Sequence, residues 1–186
     1  MSEDYLVRNC APTLAGLKTA SLFTCPCENK TLLYTSLREL NQRLSSKGLR
    51  LLSLRFSERK ALIYLYRPDM LCRDLSQSSA RRLLHCLGYD PDCSEKCIAR
   101  LRNKLCSDPD FPHEIGLFLG YPAEDVRGFL EQGPDCAKCS GCWKVYGDVN
   151  TAQKTFDKYK KCTRVYCECW MRTHDIDRLT VPTKVF

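Results

Sequence analysis

The chain has 186 residues, of which 44% are hydrophobic and 27% are charged, and its formal net charge is +7. This balance excludes wholesale disorder and is typical of a globular protein. The apolar stretches are too short to cross a bilayer, and the N-terminus lacks the basic and apolar parts of a signal peptide. We therefore expect one domain over residues 1–186 and no membrane partner.

The first third of the chain is predicted to form helices and one β-hairpin. Pro12 suits the first turn of a short helix over residues 12–17. Cys25-Pro26-Cys27 is interpreted as a surface loop, and a redox pair or a pair of metal ligands is the alternative. Leucines at three- and four-residue spacing predict an amphipathic helix over about 29–46. Two apolar runs with a short connection predict an antiparallel hairpin over about 49–66.

The remainder of the chain is predicted to be mainly helical. A cysteine-rich loop is expected at 133–142, a short strand at 143–146 and a loosely held tail at 181–186. The other segments are predicted helices, at 78–87, 92–106, 112–119, 122–131 and 148–173. The fold class is therefore expected to be α+β, a small and mainly antiparallel sheet packed with about six helices.

Cysteine usage indicates the compartment. The chain has 14 cysteines, slightly below the fraction that is typical of secreted disulfide scaffolds. A core of this size does not need disulfides for stability. We therefore expect free, metal-bound or catalytic thiols and a cytoplasmic location.

The sharpest metal-binding pattern is Cys136-x2-Cys139-x2-Cys142, in a loop with Gly133, Pro134 and Gly141 at its bends. Two residues between thiols can bring both sulfur atoms to one metal ion. The spacing predicts a zinc ion or an iron–sulfur cluster, with Cys162 or Cys167 as the fourth ligand. The ferredoxin pattern is not completed, because Tyr146 stands where its next cysteine would be. Three unligated loop thiols are the alternative.

A thiol-dependent enzyme is a second hypothesis. Cys10 would be the nucleophile, His113 the base and Lys18 the group that stabilises an anion. Glu114 would orient His113 or act as an acid. The alternative is that His113 is structural and that Cys10 is packed in the core.

Positive charge is densest in the predicted final helix. The residues are Lys154, Lys158, Lys160, Lys161 and Arg164. We do not expect nucleic acid as a partner, because no aromatic side chains are interleaved to form a stacking platform. The simpler interpretation of these basic residues is a helix face exposed to solvent. The alternative is that they contact a protein partner.

Several segments carry a resemblance to a known family. They are the run CAPTLAGLK from Cys10 to Lys18, the run FPHEIGLFLGYP from Phe111 to Pro122, and WKVYG from Trp143 to Gly147. The chain resembles an uncharacterised family of cytosolic proteins, a domain of unknown function, from anaerobic Firmicutes such as clostridia. The resemblance covers about residues 6–180 and implies one domain and a cytosolic location, but no activity.

Three classes of function follow from the sequence. The first is a metal- or cluster-binding protein linked to redox chemistry. The second is the thiol-dependent enzyme. The third is an interaction module without catalytic activity.

Overall fold

A computed structural model describes residues 2–108 and 110–183. It divides the chain into two compact units. The first unit combines Met1–Asp69 with Lys161–Phe186, and the second is Met70–Lys160. The prediction of a single domain stays a prediction, and each unit is described by itself below.

A three-stranded antiparallel sheet is the centre of the first unit. Its strands are β1 (Ala20–Pro26), β2 (Arg50–Ser57) and β3 (Lys60–Tyr66), in the order β1-β3-β2. The predicted hairpin over 49–66 is therefore confirmed, and its register pairs Leu51 with Leu65.

Three helices of the first unit supply leucine and isoleucine side chains to the core on this sheet. They are α1 (Glu3–Leu14), α2 (Lys30–Leu44) and the short α9 (Ile176–Leu179). The predicted helix over 29–46 corresponds to α2, which Asn29 caps by accepting a hydrogen bond from the backbone N–H of Leu32.

Two predictions for the N-terminal part are wrong. Pro12 lies inside α1 and not at its start, because a buried stripe that includes Leu6, Cys10 and Leu14 recurs at helical spacing and outweighs the penalty of an internal proline. Cys25-Pro26-Cys27 is not a surface loop. Cys25 and Cys27 are buried, and Pro26 is tolerated because it ends an edge strand.

The second unit is mainly helical. Its elements include α4 (Ser78–Cys86), α5 (Ser94–Ser107), α6 (Ile115–Phe118), α7 (Ala123–Gln132) and the two-residue strands β4 (Cys139–Ser140) and β5 (Lys144–Val145). Two helices cross the boundary between the units, α3 (Pro68–Ser76) and α8 (Val149–Thr173). Asp148 accepts hydrogen bonds from the first turn of α8, as predicted.

The α+β fold class is confirmed, with differences in detail. The described residues contain nine α-helices, and the sequence does not predict α3 or α9. The expected helix over 112–119 is reduced to α6, because a turn closed by a hydrogen bond from the Ile115 N–H to the Pro112 carbonyl precedes it. The cysteine-rich loop at 133–142 contains a single 3-10 turn and strand β4.

The C-terminal segment, predicted to be loosely held at 181–186, lies only partly within the described residues. The Val181 N–H donates to the Leu14 carbonyl at 3.0 Å, and the Thr183 N–H donates to the Lys47 carbonyl at 3.1 Å. Residues 184–186 lie outside the described residues. Within the described part, none of the helices has both the length and the apolar composition needed to cross a bilayer.

Candidate functional site

A buried carboxylate joins α7 to the segment 143–147. Asp125 is only 3% exposed and accepts hydrogen bonds from the Trp143 indole nitrogen at 2.7 Å, the Tyr146 N–H at 2.7 Å and the Gly147 N–H at 2.8 Å. Bonds to a charged acceptor in a buried site are strong. These three bonds therefore join the first turn of α7 to the WKVYG segment.

Two glycines allow this close approach. A Cβ atom on Gly128 would lie 2.3 Å from the ring of Tyr146. A Cβ atom on Gly147 would lie 2.2 Å from a carboxylate oxygen of Glu124. Gly128 thus leaves space for the Tyr146 side chain, and Gly147 leaves space for the Glu124 side chain.

The exposed side of α7 forms, with α4, the surface that we call the α4–α7 face. Its residues line a depression of about 280 Å³. They are Ser79, Arg82, Leu83 and Cys86 from α4, and Ala123, Glu124, Arg127 and Glu131 from α7. A smaller depression of about 160 Å³ lies on the other side of the α7 ridge, against Tyr146 and Gly147.

The α4–α7 face carries charges of both signs around an apolar floor. Glu124, Arg127 and Glu131 form an exposed ridge on α7, because positions three and four residues apart share one side of a helix. Arg127 and Glu131 are 4.0 Å apart, and their side chains are each 63% exposed. Such a solvated pair contributes little to stability, so both groups remain available to an external partner.

A second buried carboxylate, Glu114, is held in an ion pair. It is 4% exposed and accepts hydrogen bonds from Lys104 Nζ at 2.6 Å and from the Tyr89 hydroxyl at 2.9 Å. Burial opposes its ionisation, but the bond from Lys104 and the other hydrogen bonds outweigh burial, so the pKa of Glu114 is lowered. Burial and the Glu114 charge raise the pKa of Tyr89.

His113 lies beside Glu114 in the chain but in a different environment. Its ring is exposed and contacts aromatic rings, with centroid distances of 4.6 Å to Phe129 and 6.0 Å to Phe111. The hydrogen bonds of the Glu114 side chain go to Tyr89 and Lys104. The predicted catalytic roles of His113 and Glu114 stay predictions.

Cys10 is fully buried in the first unit. Burial raises the pKa of its thiol to about 12, against the opposing effects of a hydrogen bond with Ser21 and the charge of Lys18. The hydroxyl groups of Thr13 and Ser21 are 2.9 Å apart in the same buried region. The structure thus brings Cys10 and Lys18 into electrostatic range within one unit, whereas His113 and Glu114 belong to the other unit.

Arg67 is a buried cation for which the sequence predicts no role. It is 2% exposed, and its guanidinium donates to the carbonyl groups of Thr13 at 2.8 Å, Leu14 at 2.9 Å and Val181 at 2.7 Å. The carbonyl groups at the end of a helix lack partners in the helix and carry its negative partial charge. Arg67 therefore caps α1 and fixes the C-terminal segment to it, while burial lowers its pKa.

The three loop cysteines lie in the second unit. Cys136 and Cys142 are exposed, whereas Cys139 is half-buried and pairs with Val145 between β4 and β5. Cys162 and Cys167 are half-buried in the part of α8 that belongs to the first unit. Across residues 2–108 and 110–183, no group of three or more His, Cys, Asp or Glu side chains is placed to hold a metal ion. The zinc or cluster site stays a prediction.

Comparison with family models gives one match. A model described as "Protein of unknown function (DUF3793)" matches residues 6–180. The chain belongs to this family. Comparisons with curated proteins and with solved structures find no match.

The DUF3793 match includes all the residues that the structure adds to the site. Arg67 and Asp125 act through partners that are distant in the sequence, so no local spacing predicts their roles. Arg82, Arg127 and Glu131 are ordinary exposed helix residues in the sequence. Only the packing of α4 beside α7 makes them one surface.

Proposed function

We propose that this chain is a protein-interaction module and that the α4–α7 face is its docking surface. The observation that carries the proposal is the arrangement of this face, an exposed ridge of alternating charge beside a depression with an apolar floor. The partner is a polypeptide of complementary chemistry. It presents carboxylates to Arg82 and Arg127, cationic side chains to Glu124 and Glu131, and an apolar side chain to the depression.

The rigidity of the face supports the proposal. The α7 ridge is fixed from behind by the three hydrogen bonds of Asp125 and by the contact of Gly128 with Tyr146. A preformed surface loses little conformational freedom when a partner binds. The backbone that carries the charged groups is therefore in place before any partner arrives.

The reducing cytosol is the compartment that we propose for this interaction. No disulfide bond is found among the cysteines of the described residues, and five exposed cysteines lie in the second unit: Cys72, Cys86, Cys106, Cys136 and Cys142. Exposed thiols persist in a reducing environment and are oxidised outside it. An origin in anaerobic Firmicutes is compatible with this thiol content and is part of the same proposal.

The metal-binding and thiol-enzyme hypotheses lead to different measurements. A zinc or iron–sulfur site at Cys136, Cys139 and Cys142 requires about one equivalent of bound metal after anaerobic purification, lost on Cys139→Ser. A nucleophilic Cys10 requires a thiol that a reagent can reach, whereas its side chain is completely buried. The docking proposal requires neither observation.

Photo-crosslinking in living cells tests the docking proposal. A benzophenone amino acid replaces Ser79, which lines the α4–α7 face, and in a matched control it replaces Ser107, an exposed serine at the end of α5. We expect a covalent adduct with a defined polypeptide from position 79 that is absent from position 107. The adduct is identified by mass spectrometry.

Neutralising the charged residues of the α4–α7 face provides a second test of the docking proposal. In the variant R82Q/E124Q/R127Q/E131Q we expect the position-79 adduct to fall by about 10-fold or more, because loss of the complementary charges removes part of the attraction and its specificity. Cys10→Ser is expected to leave the adduct unchanged. An adduct that forms equally from both positions, or that is insensitive to neutralisation of the face, would overturn the proposal.

A further inference from the structure

Strand β1 lies at one edge of the three-stranded sheet, beside β3. Where this pair of strands ends, the Cys27 N–H donates to the Arg59 carbonyl at 2.9 Å. In an antiparallel ladder, only every second residue of a strand bonds to the same neighbour. The N–H and C=O groups of Leu22 and Thr24 therefore point away from β3. Within residues 2–108 and 110–183, no backbone group of another segment bonds to them.

The outward backbone groups of Leu22, Thr24 and Pro26 form what we call the β1 edge. Thr24 and Pro26 are exposed, and Leu22 is half-buried. The strand is seven residues long, and none of its side chains is charged. Natural proteins usually protect such an edge with charged side chains, bulges or prolines, because it pairs readily with another extended chain. In β1 only Pro26, which has no N–H, limits pairing, and it does so at one end.

The opposite edge of the sheet, at β2, is protected. The Asn41 side chain donates to the Leu51 carbonyl at 2.9 Å and accepts a hydrogen bond from the Leu51 N–H at 2.8 Å. The register shifts between Ser53 and Arg55, which interrupts the edge, and Arg55 is an exposed charged residue. The two edges of the sheet thus differ, and β1 is the one that is open for pairing.

This difference between the edges indicates a strand-binding site. We propose that an extended segment of another polypeptide adds beside β1 as a fourth strand of the sheet. The outward N–H and C=O groups determine this choice of partner, since another extended backbone matches their spacing. The proposal concerns the first unit and does not depend on the docking proposal for the α4–α7 face.

The charge of the first unit indicates the composition of the added segment. The whole formal net charge of +7 belongs to the first unit, because basic and acidic residues are equal in number in the second. Arg59 and Lys60 are exposed at the C-terminal end of β1, where Lys60 pairs with Pro26. We therefore expect acidic residues next to the paired part of the segment, whose side chains alternate between the two faces of the sheet.

Hydrogen exchange of the full chain, followed by NMR, tests whether the edge is open. In the free chain, we expect the amides of Leu22 and Thr24 to exchange faster than those of Phe23 and Cys25, which donate to β3. Equal protection of all four amides would show that the β1 edge is already covered.

Peptides selected on the immobilised full chain test binding at the edge. The probes are synthetic peptides of about 12 residues from a random library, long enough to cover β1. We expect the selected peptides to share an alternating apolar pattern with acidic flanks, and their affinity to fall as salt is added. When the peptide is bound, exchange of the Leu22 and Thr24 amides should slow by about 10-fold or more.

Proline at position 24 distinguishes strand pairing from other modes of binding. Thr24→Pro removes an outward N–H and leaves the bonds from β1 to β3 in place, which an edge strand tolerates. We expect peptide affinity to fall by about 10-fold or more, because a peptide carbonyl loses its donor. The matched control, Thr24→Val, keeps the N–H, and its affinity should stay within about three-fold of the wild-type value. Thermal unfolding verifies that both variants fold.

The proposal is overturned by an edge that is protected in the free chain, by peptides that leave Leu22 and Thr24 unprotected, or by equal binding to Thr24→Pro and Thr24→Val. If Thr24→Pro does not fold, the exchange measurements on the wild type decide alone. Protection that appears without peptide and rises with the concentration of the chain would assign the edge to a second copy, and it would overturn the choice of partner.

Discussion

The indole nitrogen of Trp143 donates a hydrogen bond of 2.7 Å to the buried carboxylate of Asp125. This bond connects the residue that precedes strand β5 to the first turn of α7, eighteen residues away in the chain. It holds the buried side of α7, whose exposed side carries Glu124, Arg127 and Glu131. The proposed docking surface thus depends on a buried residue that no partner contacts.

Asp125 is expected to be necessary for this arrangement. Asp125→Ala removes the acceptor of three hydrogen bonds and should cost about 3 kcal/mol or more of unfolding free energy. Asp125→Asn can keep the two backbone bonds but turns an amide donor toward Trp143, so a loss of about 1–2 kcal/mol is expected.

Fluorescence quenching of Trp143 in a Trp170→Phe background measures the local effect. We expect higher quencher accessibility in Asp125→Ala and an unchanged value in Asp157→Ala, which removes an exposed carboxylate on α8. If Trp143 is equally protected in both variants, Asp125 does not hold the segment.

Glu114 is expected to make stability depend on pH. Its pKa is lowered in the folded chain, so its contribution is fully present above the unfolded value of about 4.3 and is lost as pH falls through the lower folded value. Glu114→Gln keeps the size of the side chain but removes the ion pair with Lys104. At neutral pH it should cost about 2 kcal/mol.

The pH test compares two denaturation curves. We expect the difference in unfolding free energy between the wild type and Glu114→Gln to shrink as pH falls from about 7 to below about 4. Other carboxylates titrate in both proteins and cancel in the difference. A difference that is constant over this range would show that Glu114 is not ionised in the folded protein.

Cys10 is expected to react last with an alkylating agent. It is 0% exposed, and its pKa is raised to about 12, so almost none of it is thiolate near neutral pH. The exposed Cys72 is the internal reference, and mass spectrometry after partial labelling ranks the thiols. Labelling of Cys10 ahead of Cys72 would contradict this prediction and support the thiol-enzyme hypothesis.

The elements with regular local patterns could be predicted from the sequence. Helix α2 follows from its leucine spacing, and the hairpin of β2 and β3 follows from two apolar runs with a short connection. Proline caused the two main errors. Pro12 is inside a helix and Pro26 ends a strand, because the burial of neighbouring side chains decides between the conformations that proline tolerates.

The site was harder to predict because its contacts are distant in the sequence. Arg67 binds carbonyl groups 53 and 114 residues away, and Asp125 binds groups 18 to 22 residues away. No spacing rule relates such residues. The spacing of Cys136, Cys139 and Cys142 was easy to recognise in the sequence. Within the described residues, however, these cysteines do not belong to a group placed to hold a metal ion.

The most direct test of the docking surface uses two thiols that the chain already has. Cys86 lies on the α4–α7 face, and Cys72 is exposed on α3, outside that face. Both are alkylated briefly in living cells and in the dilute purified protein, and the labelled fractions are compared by mass spectrometry. We predict that the labelling rate of Cys86, divided by that of Cys72 in the same sample, is lower in cells than in dilute solution. The same ratio in cells and in dilute solution would contradict the account.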